Sequence, residues 1–262
     1  MQRRSFLRLG LALAALALPA AAQAAEIRVV SSGGFAAAFR ALAPAFERAT
    51  GHTLVTGWGP SMGQTMDAVP ARLARGEPID VLIMVGDALG QLVEQGMVVA
   101  DSRADLAQSG IGVVVRAGAP RPDIGSSDAL RRALPAAQSI AYSDSASGVY
   151  IEREMLPRLG IAEQVAGRAR MIPAEPVGAV VARGDAEIGF QQVSELRPIR
   201  GIDLVGPLPP GLQRVTVFSA GVLARSREPE AARALIRFLA SPAAAQAIAD
   251  SGMEPLGSAG RD

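Results

Sequence analysis

The chain has 262 residues, of which 49% are hydrophobic and none is cysteine, so disulfides, thiolate metal sites and a lipoprotein anchor are excluded. Its 26 basic residues, all of them arginine, nearly balance 25 acidic ones, which favours neither nucleic acid nor an anionic membrane as a partner. With one histidine, a histidine cluster that could hold a metal is also excluded. We therefore expect neither a metal nor a cofactor.

The first 24 residues have the pattern of a secretory signal peptide. Arg3, Arg4 and Arg8 precede an apolar core at residues 9–18, and small residues near 22–25 offer a cleavage site. This apolar run is too short to span a bilayer comfortably, so no membrane insertion is expected. The paired arginines are compatible with either the Sec or the twin-arginine export route. The pattern predicts a soluble, monomeric protein of the periplasm.

Strands alternate with helices along the first part of the mature chain. The pattern predicts strands at 26–30, 53–58 and 79–84 and helices at 35–50, 64–75 and 88–95. Such alternation is typical of βαβ units on a parallel sheet. In these sheets ligands bind beyond the carboxyl ends of the strands.

A similar pattern starts again at residue 111. It predicts strands at 111–115, 139–142, 170–172, 187–192, 202–205 and 215–219, and helices at 128–134, 151–159, 177–183, 228–240 and 242–251. We infer an α/β fold of two Rossmann-like lobes joined by a hinge, with lobe 1 at 25–108 and 207–262 and lobe 2 at 109–206. The cleft between two lobes is the default place for a ligand.

Three turns rich in serine and glycine, at 31–34, 59–63 and 143–150, lie where predicted strands end. Each leaves backbone N–H groups at a helix N-terminus, where an oxyanion can bind. The alternative is an ordinary capped turn, because serine, aspartate and glycine are favoured there on local grounds. Two glutamines that end the strand at 187–192 offer amide groups as well. The predicted ligand-binding residues are Ser32, Gly33, Gly34, Ser61, Met62, Ser145, Ser147, Gly148, Tyr150, Gln191 and Gln192.

Three side chains near these turns are candidates for proton transfer. Tyr150 is one, although a core tyrosine explains it equally well. Asp144 and Glu175 are the others, with a helix cap and a solvated loop charge as their alternative roles. His52 follows a helix at the opposite edge of the sheet, which favours a capping or surface role.

Several short runs of the chain form a recognisable set. They are Ser31-Ser32-Gly33-Gly34, Gly59-Pro60-Ser61, Asp80-Val81-Leu82-Ile83, Ser145-x-Ser147-Gly148-x-Tyr150, Pro173-Ala174-Glu175-x-Val177, Phe238-Leu239 and Ser241-Pro242. Together these runs resemble the type II periplasmic binding proteins of the molybdate-binding group. The resemblance implies two hinged lobes around an oxyanion site, whose five contact positions fall on Gly34, Ser61, Ser147, Val177 and Gln192. The group usually has serine at the first of these positions and tyrosine at the last.

Three of the runs, at 59–62, 143–150 and 189–192, are more similar to the aconitate isomerases built on this scaffold. This resemblance implies a tricarboxylate ligand and a reaction that shifts a C=C bond. Arg72, Arg75 and Arg183 are then candidates to reach the ligand, because a guanidinium binds carboxylate well. The alternative is a substrate-binding protein that delivers a small anion to an ABC permease. The two functions would use one pocket, so the residues alone do not separate them.

Overall fold

The computed structural model describes residues 24–257, so the predicted signal peptide lies outside the described residues except for its last residue. The described chain combines strands and helices along its whole length. Its strands are β1 Glu26–Ser31, β2 Thr53–Trp58, β3 Val81–Val85, β4 Ala104–Ser109, β5 Ile111–Arg116, β6 Ile140–Ser143, β7 Ala169–Ile172, β8 Ile188–Gln192, β9 Ile202–Pro207, β10 Thr216–Val222 and β11 Glu254–Pro255.

The helices cover the faces of the sheets. A π-helical turn at Ile151–Met155 joins α5 to α6, and a short 3-10 helix lies at Ala100–Ser102. The α-helices are α1 Gly33–Thr50, α2 Val69–Ala74, α3 Gly86–Glu94, α4 Ser127–Ala136, α5 Ala146–Tyr150, α6 Leu156–Arg158, α7 Ala162–Val165, α8 Val177–Ala182, α9 Val193–Leu196, α10 Pro229–Leu239 and α11 Pro242–Asp250.

The first lobe is built on a six-stranded sheet in the order β11-β4-β10-β3-β1-β2. Strands β1, β2 and β3 are parallel, whereas β10 runs antiparallel to both β3 and β4. All five residues of β3 are buried, as expected for a central strand covered on both faces. On one face α1 buries Phe35, Phe39, Leu42 and Phe46, an apolar stripe with helical spacing.

The second lobe is built on a five-stranded sheet in the order β7-β6-β8-β5-β9. Strand β6 is parallel to β7 and β8, and β5 is antiparallel to β8 and β9. The chain crosses between the sheets at residues 109–111 and again between β9 and β10. We keep the exact lobe boundaries, 25–108 with 207–262 and 109–206, as a proposal.

The structure differs from the sequence-based expectations in several places, of which three bear on the architecture. Both sheets are mixed, because the strands that follow a chain crossing enter antiparallel. Strand β4 was not predicted, since its sequence Ala-Asp-Leu-Ala-Gln-Ser has no β-branched or aromatic residue. The helix predicted at 64–75 is limited to α2, whose start is fixed by Pro70 in its first turn.

Candidate functional site

A cavity of about 370 Å³ opens between the carboxyl ends of the two sets of strands. The first lobe contributes the turns at 32–34 and 59–61, which follow β1 and β2. The second lobe contributes residues 143–146, 174–176 and 194–195, which follow β6, β7 and β8. The cavity therefore lies where an α/β fold places its ligand.

Three hydroxyl groups in this cavity have no hydrogen-bond partner. Among residues 24–257, the buried side-chain polar atoms without a partner are the hydroxyls of Ser32, Thr65 and Ser194, and all three residues line the cavity. Ser32 is the N-cap residue of α1, yet its hydroxyl makes no capping bond. A buried hydroxyl without a partner costs free energy. These groups are therefore placed to bind a polar ligand, Ser32 and Thr65 from one lobe and Ser194 from the other.

Ser61 adds a fourth hydroxyl, which is oriented by the backbone. Its Oγ accepts a hydrogen bond of 2.9 Å from the N–H of Val85, the residue that ends β3. A hydroxyl that accepts one bond still has its own proton to donate. Ser61 lines the cavity and is 4% exposed, so its proton is available to an anion bound there.

The serines of the turn after β6 bind one another. The Ser143 hydroxyl lies 2.8 Å from that of Ser145 and 2.9 Å from that of Ser147. Ser143 and Ser145 line the cavity, whereas Ser147 lies behind them and is 1% exposed. Gly148 is needed because a Cβ there would collide with the backbone of Ser143. This turn presents two hydroxyls to the cavity and uses the third and the glycine to hold its shape.

Four other predicted ligand-binding residues lie outside the cavity lining or already have hydrogen-bond partners. Tyr150 is buried in the core of the second lobe, where its hydroxyl donates a 2.7 Å bond to the carbonyl of Leu212. Met62 is absent from the cavity lining. The N–H of Val177 donates to the side-chain oxygen of Gln191 at 2.9 Å, so this backbone N–H already has a hydrogen-bond partner. Gln191 itself lines the cavity.

The side chain of Gln192 forms hydrogen bonds at the hinge, which consists of the two places where the chain crosses between the sheets. With the amide oriented to satisfy all its neighbours, its nitrogen donates to the carbonyls of Ser109 and Gly110 at 3.0 and 3.1 Å, and its oxygen accepts from the Thr216 hydroxyl at 2.8 Å. These partners lie at the two places where the chain crosses between sheets. Gln192 also lines the cavity, so its predicted contact with the ligand stays a prediction beside these hydrogen bonds at the hinge.

Two of the predicted catalytic residues line the cavity and already have partners. Asp144 accepts a 3.1 Å hydrogen bond from the N–H of Ala174, which holds a left-handed turn with φ of 54°. Glu175 forms a bidentate ion pair with Arg183, and hydrogen bonding to that guanidinium lowers the pKa of the Glu175 carboxyl. A carboxylate with a lowered pKa is a weak base.

A carboxyl group that sequence reasoning missed lies inside the cavity. Glu195, on the single-turn helix α9, reaches from the second lobe to Gly33 at the start of α1. Burial raises the pKa of this carboxyl to about 7, an effect increased by the charge of Asp144 and opposed by hydrogen bonding from Gln191. An acidic residue shortly after a strand is too common a pattern to have revealed it.

The cation in the cavity wall is Arg40, which the sequence did not indicate either. Its guanidinium carbon lies 4.3 Å from the ring centre of Trp58, and both residues line the cavity. Within residues 24–257 no ion pair to Arg40 is found, so its charge is available to a carboxylate. Stacking on the indole positions the guanidinium without neutralising it.

The three arginines proposed from the sequence make contacts outside the cavity. Arg72 donates to the carbonyls of Trp58 and Asp67 at 3.0 and 2.8 Å, and Arg75 donates to that of Met66 at 2.6 Å. Both fasten the loop that carries Ser61 and Thr65. Arg183 is held by Glu175 and Asp185. None of the three is among the lining residues of the cavity in the described chain.

A phenyl ring explains the glycine at the first contact position of the molybdate pattern. The ring of Phe218 lies so close to Gly34 that any Cβ there would overlap it. Phe218 is 2% exposed and lines the cavity. A serine at position 34 is therefore incompatible with this packing.

Two remaining expectations concern metals and membranes. Residues 24–257 contain no group of three or more histidine, cysteine, aspartate or glutamate side chains that could hold a metal ion. In the same part of the chain, no helix has the length and apolar character needed to cross a membrane.

His52 lies away from the cavity. Its Nδ1 atom accepts a 3.0 Å hydrogen bond from the N–H of Ala25. This contact is at the opposite end of β2 from Trp58, which reaches the cavity.

The two hinged α/β lobes, with a cavity between the carboxyl ends of their strands, define a type II periplasmic binding protein. The chain belongs to the family of bacterial extracellular solute-binding proteins, which it matches over residues 27–254. The periplasmic molybdate-binding protein of Azotobacter vinelandii has the same fold, with a TM-score of 0.69 at 22% identity over 87% of this chain and 98% of that one. The predicted fold class and family are thus confirmed.

Two relatives of known name are similar along almost the whole chain. One is an aconitate isomerase of a Pseudomonas species, 53% identical over 246 residues, with 94% of each chain covered. The other is the molybdate-binding protein ModA of Azotobacter vinelandii, 29% identical over 253 residues, which cover 93% of this chain and 96% of ModA. The more similar of these two relatives is the enzyme.

Proposed function

We propose that this protein is an aconitate isomerase, which interconverts cis- and trans-aconitate in the cleft between its lobes. A base removes a proton from the CH₂ carbon, the C=C bond moves, and a proton is added to the other allylic carbon. Substrate and product have the same atoms and the same oxidation level, so the reaction needs no redox partner. The observation that carries the proposal is 53% identity to an aconitate isomerase over 94% of both chains.

The chemistry of the cavity supports a ligand with several carboxylates. Hydroxyls from both lobes have protons to donate, and Arg40 supplies an unpaired guanidinium. Hydroxyl donors bind carboxylate oxygens without a paired cation, and a guanidinium adds a charge-assisted bond. Charge that develops on the carboxylates as the proton leaves would be stabilised by the same donors.

The positions that resemble molybdate contacts support the same choice. Ser61 keeps a free hydroxyl proton, but Ser147 is bonded to Ser143, the Val177 N–H to Gln191, and Gln192 to the hinge. A small tetrahedral oxyanion bound as in the molybdate group would have to compete with these bonds. A larger carboxylate ligand can instead use the unpartnered hydroxyls of Ser32, Thr65 and Ser194.

A second candidate is a receptor that binds a small anion and delivers it to an ABC permease. It is favoured by the family, whose members are extracellular solute-binding proteins, and by the similarity to ModA. Either function fits a protein exported to the periplasm, as the N-terminal pattern of residues 1–24 indicates. We expect a monomer, with a permease as partner only if this second candidate holds.

Purified mature protein incubated with trans-aconitate tests the proposal directly. Chromatography should show the cis isomer accumulating until the two isomers reach a constant ratio. A reaction started from cis-aconitate should reach the same ratio. Absence of turnover at micromolar enzyme overturns the isomerase. A thermal-shift series with molybdate, tungstate, sulfate, citrate and aconitate provides the second readout. Stabilisation by molybdate alone would favour the receptor.

A further inference from the structure

We propose that Glu195 is the general base that carries the proton between the two allylic carbons of the substrate. This role rests on the proposed isomerase function and goes beyond it by naming the group that performs the chemistry. Glu195 was not among the candidates that the sequence suggested.

Glu195 lies where a substrate held by both lobes would be. It belongs to α9, which follows β8 directly, and it lines the cavity beside the unpartnered hydroxyl of Ser194. On the opposite wall are the N-terminus of α1 and the unpartnered hydroxyl of Ser32. A carboxyl group between two sets of anion donors can reach the carbon skeleton of a ligand whose carboxylates those donors hold.

The glycine at position 33 is required for this placement. A Cβ built on Gly33 would collide with the Oε1 atom of Glu195. The carboxyl therefore lies directly against the backbone at the start of α1, without a side chain between them. Because the obstructing atom is the end of a flexible side chain, an alanine at position 33 would displace the carboxyl and not the fold.

Protonation distinguishes Glu195 from the other carboxyl groups of the cavity. Its pKa is raised to about 7, first by burial and then by the charge of Asp144, against hydrogen bonding from Gln191. Such a group takes up and releases a proton near neutral pH, as a general base must. Asp144 is engaged by the Ala174 N–H, and Glu175 by Arg183. The remaining charged groups of the cavity wall are Arg40 and the exposed Asp67.

The proposed step balances with one carboxyl group. The ionised Glu195 removes a proton from the CH₂ carbon, so a C–H bond breaks and an O–H bond forms. The electron pair is delocalised over the three-carbon unit and its carboxylates, where the hydroxyls of Ser32 and Ser194 donate hydrogen bonds. Glu195 then returns the proton to the other allylic carbon and is ionised again.

The direct test is Glu195→Gln, which keeps the shape of the side chain and removes the base. The turnover number should fall by about 100- to 10,000-fold, while the dissociation constant for trans-aconitate, measured by calorimetry, changes by less than about threefold. Glu163→Gln is the matched control, because Glu163 is an exposed carboxylate on α7 of the same lobe. That control should keep full activity.

Four further measurements separate a base from a residue that only supports the fold. In the unsubstituted enzyme, kcat/KM should rise with pH through about 7. Glu195→Asp should keep partial activity with a shifted pH profile, whereas Gly33→Ala should lower kcat with the carboxyl still present. With a substrate deuterated at its CH₂ carbon, the unsubstituted enzyme should carry deuterium to the other allylic carbon, and Glu195→Gln should not.

The outcomes are distinguishable. If the unsubstituted protein shows no turnover of aconitate, the isomerase proposal fails and this role fails with it. If the unsubstituted protein is active and Glu195→Gln retains its turnover number, the role of Glu195 alone is overturned. Equal loss of binding and turnover in Glu195→Gln would also overturn it, because the residue would then act in binding.

Discussion

Burial of the Glu195 carboxyl makes the stability of the free protein depend on pH. The folded state holds its proton up to about pH 7, whereas an exposed glutamate in the unfolded chain loses it near pH 4.3. Between these values the folded state binds more protons, so the free energy of unfolding falls as the pH rises. The contribution is full below about pH 4 and lost above about pH 7.

Replacing Glu195 by glutamine should therefore stabilise the free protein at alkaline pH. The gain should be at most about 4 kcal/mol at pH 8–9 and vanish near pH 4, because the shift of the pKa sets its limit. Thermal unfolding of both proteins across this pH range measures it. Glu163→Gln should follow the unsubstituted curve. A Glu195→Gln variant no more stable than the unsubstituted protein at pH 9 would show that the carboxyl is well solvated.

The sequence predicted the site turns better than the roles of single residues. Ser32, Ser61 and Ser145 were expected in the cavity and line it. Gln192 was expected to bind ligand and lines the cavity, but the hydrogen bonds of its amide to groups far along the chain were not predicted. Glu195 could not be found because its contact with Gly33 joins two elements from different lobes. Long-range contacts of this kind leave no local pattern.

At the scale of elements, one side chain links the two places where the chain crosses between the sheets. The Gln192 amide joins β8 to the end of β4 and the start of β10. Gln213 strengthens the same region, since its side chain both accepts from the N–H of Ile111 and donates to its carbonyl. The hinge is therefore held by side-chain amides in addition to backbone pairing.

Gln192→Met should loosen this hinge, because methionine fills a similar volume without hydrogen bonds. We expect a loss of about 1–3 kcal/mol in the free energy of unfolding, for two or three hydrogen bonds. Amide hydrogen exchange should become faster at 109–111 and 213–216. Gln246→Met on the exposed surface of α11 is the control. Unchanged exchange at the crossings would remove the hinge role.

Local patterns predicted most elements, and the misses have physical causes. Helix α1 was predicted with its end at Gly51, which adopts φ of 74° and donates to the Glu47 carbonyl. Strand β4 escaped because a strand between two partners can be stable with few β-formers. The antiparallel strands after each crossing could not be predicted, since strand direction depends on the path between lobes.

At the scale of the whole molecule, ligand binding should couple the two lobes. Ser32 offers its hydroxyl from the first lobe and Ser194 from the second, and neither hydroxyl has a hydrogen-bond partner among residues 24–257. A ligand that forms hydrogen bonds with both hydroxyls stabilises the folded protein relative to the unfolded chain. The gain is about 2.7 kcal/mol when the free ligand concentration is 100 times the dissociation constant.

Ser32→Ala and Ser194→Ala should each weaken binding of trans-aconitate by about 2- to 10-fold, the effect of one hydrogen bond. The free protein should stay as stable as before or become slightly more stable, because each change removes an unsatisfied buried hydroxyl. Calorimetric titration and thermal unfolding without ligand measure the two effects. Weaker binding with a less stable free protein would indicate that these hydroxyls support the fold instead.

The stacking of Arg40 on Trp58 has an optical consequence. Trp58 is the only tryptophan of the chain, and it lies in the cavity wall beneath the cation that would meet a carboxylate. The emission of an indole responds to a charge moving across its face. The intensity or wavelength of intrinsic fluorescence should thus change on ligand binding, and rapid mixing would time the event without a label.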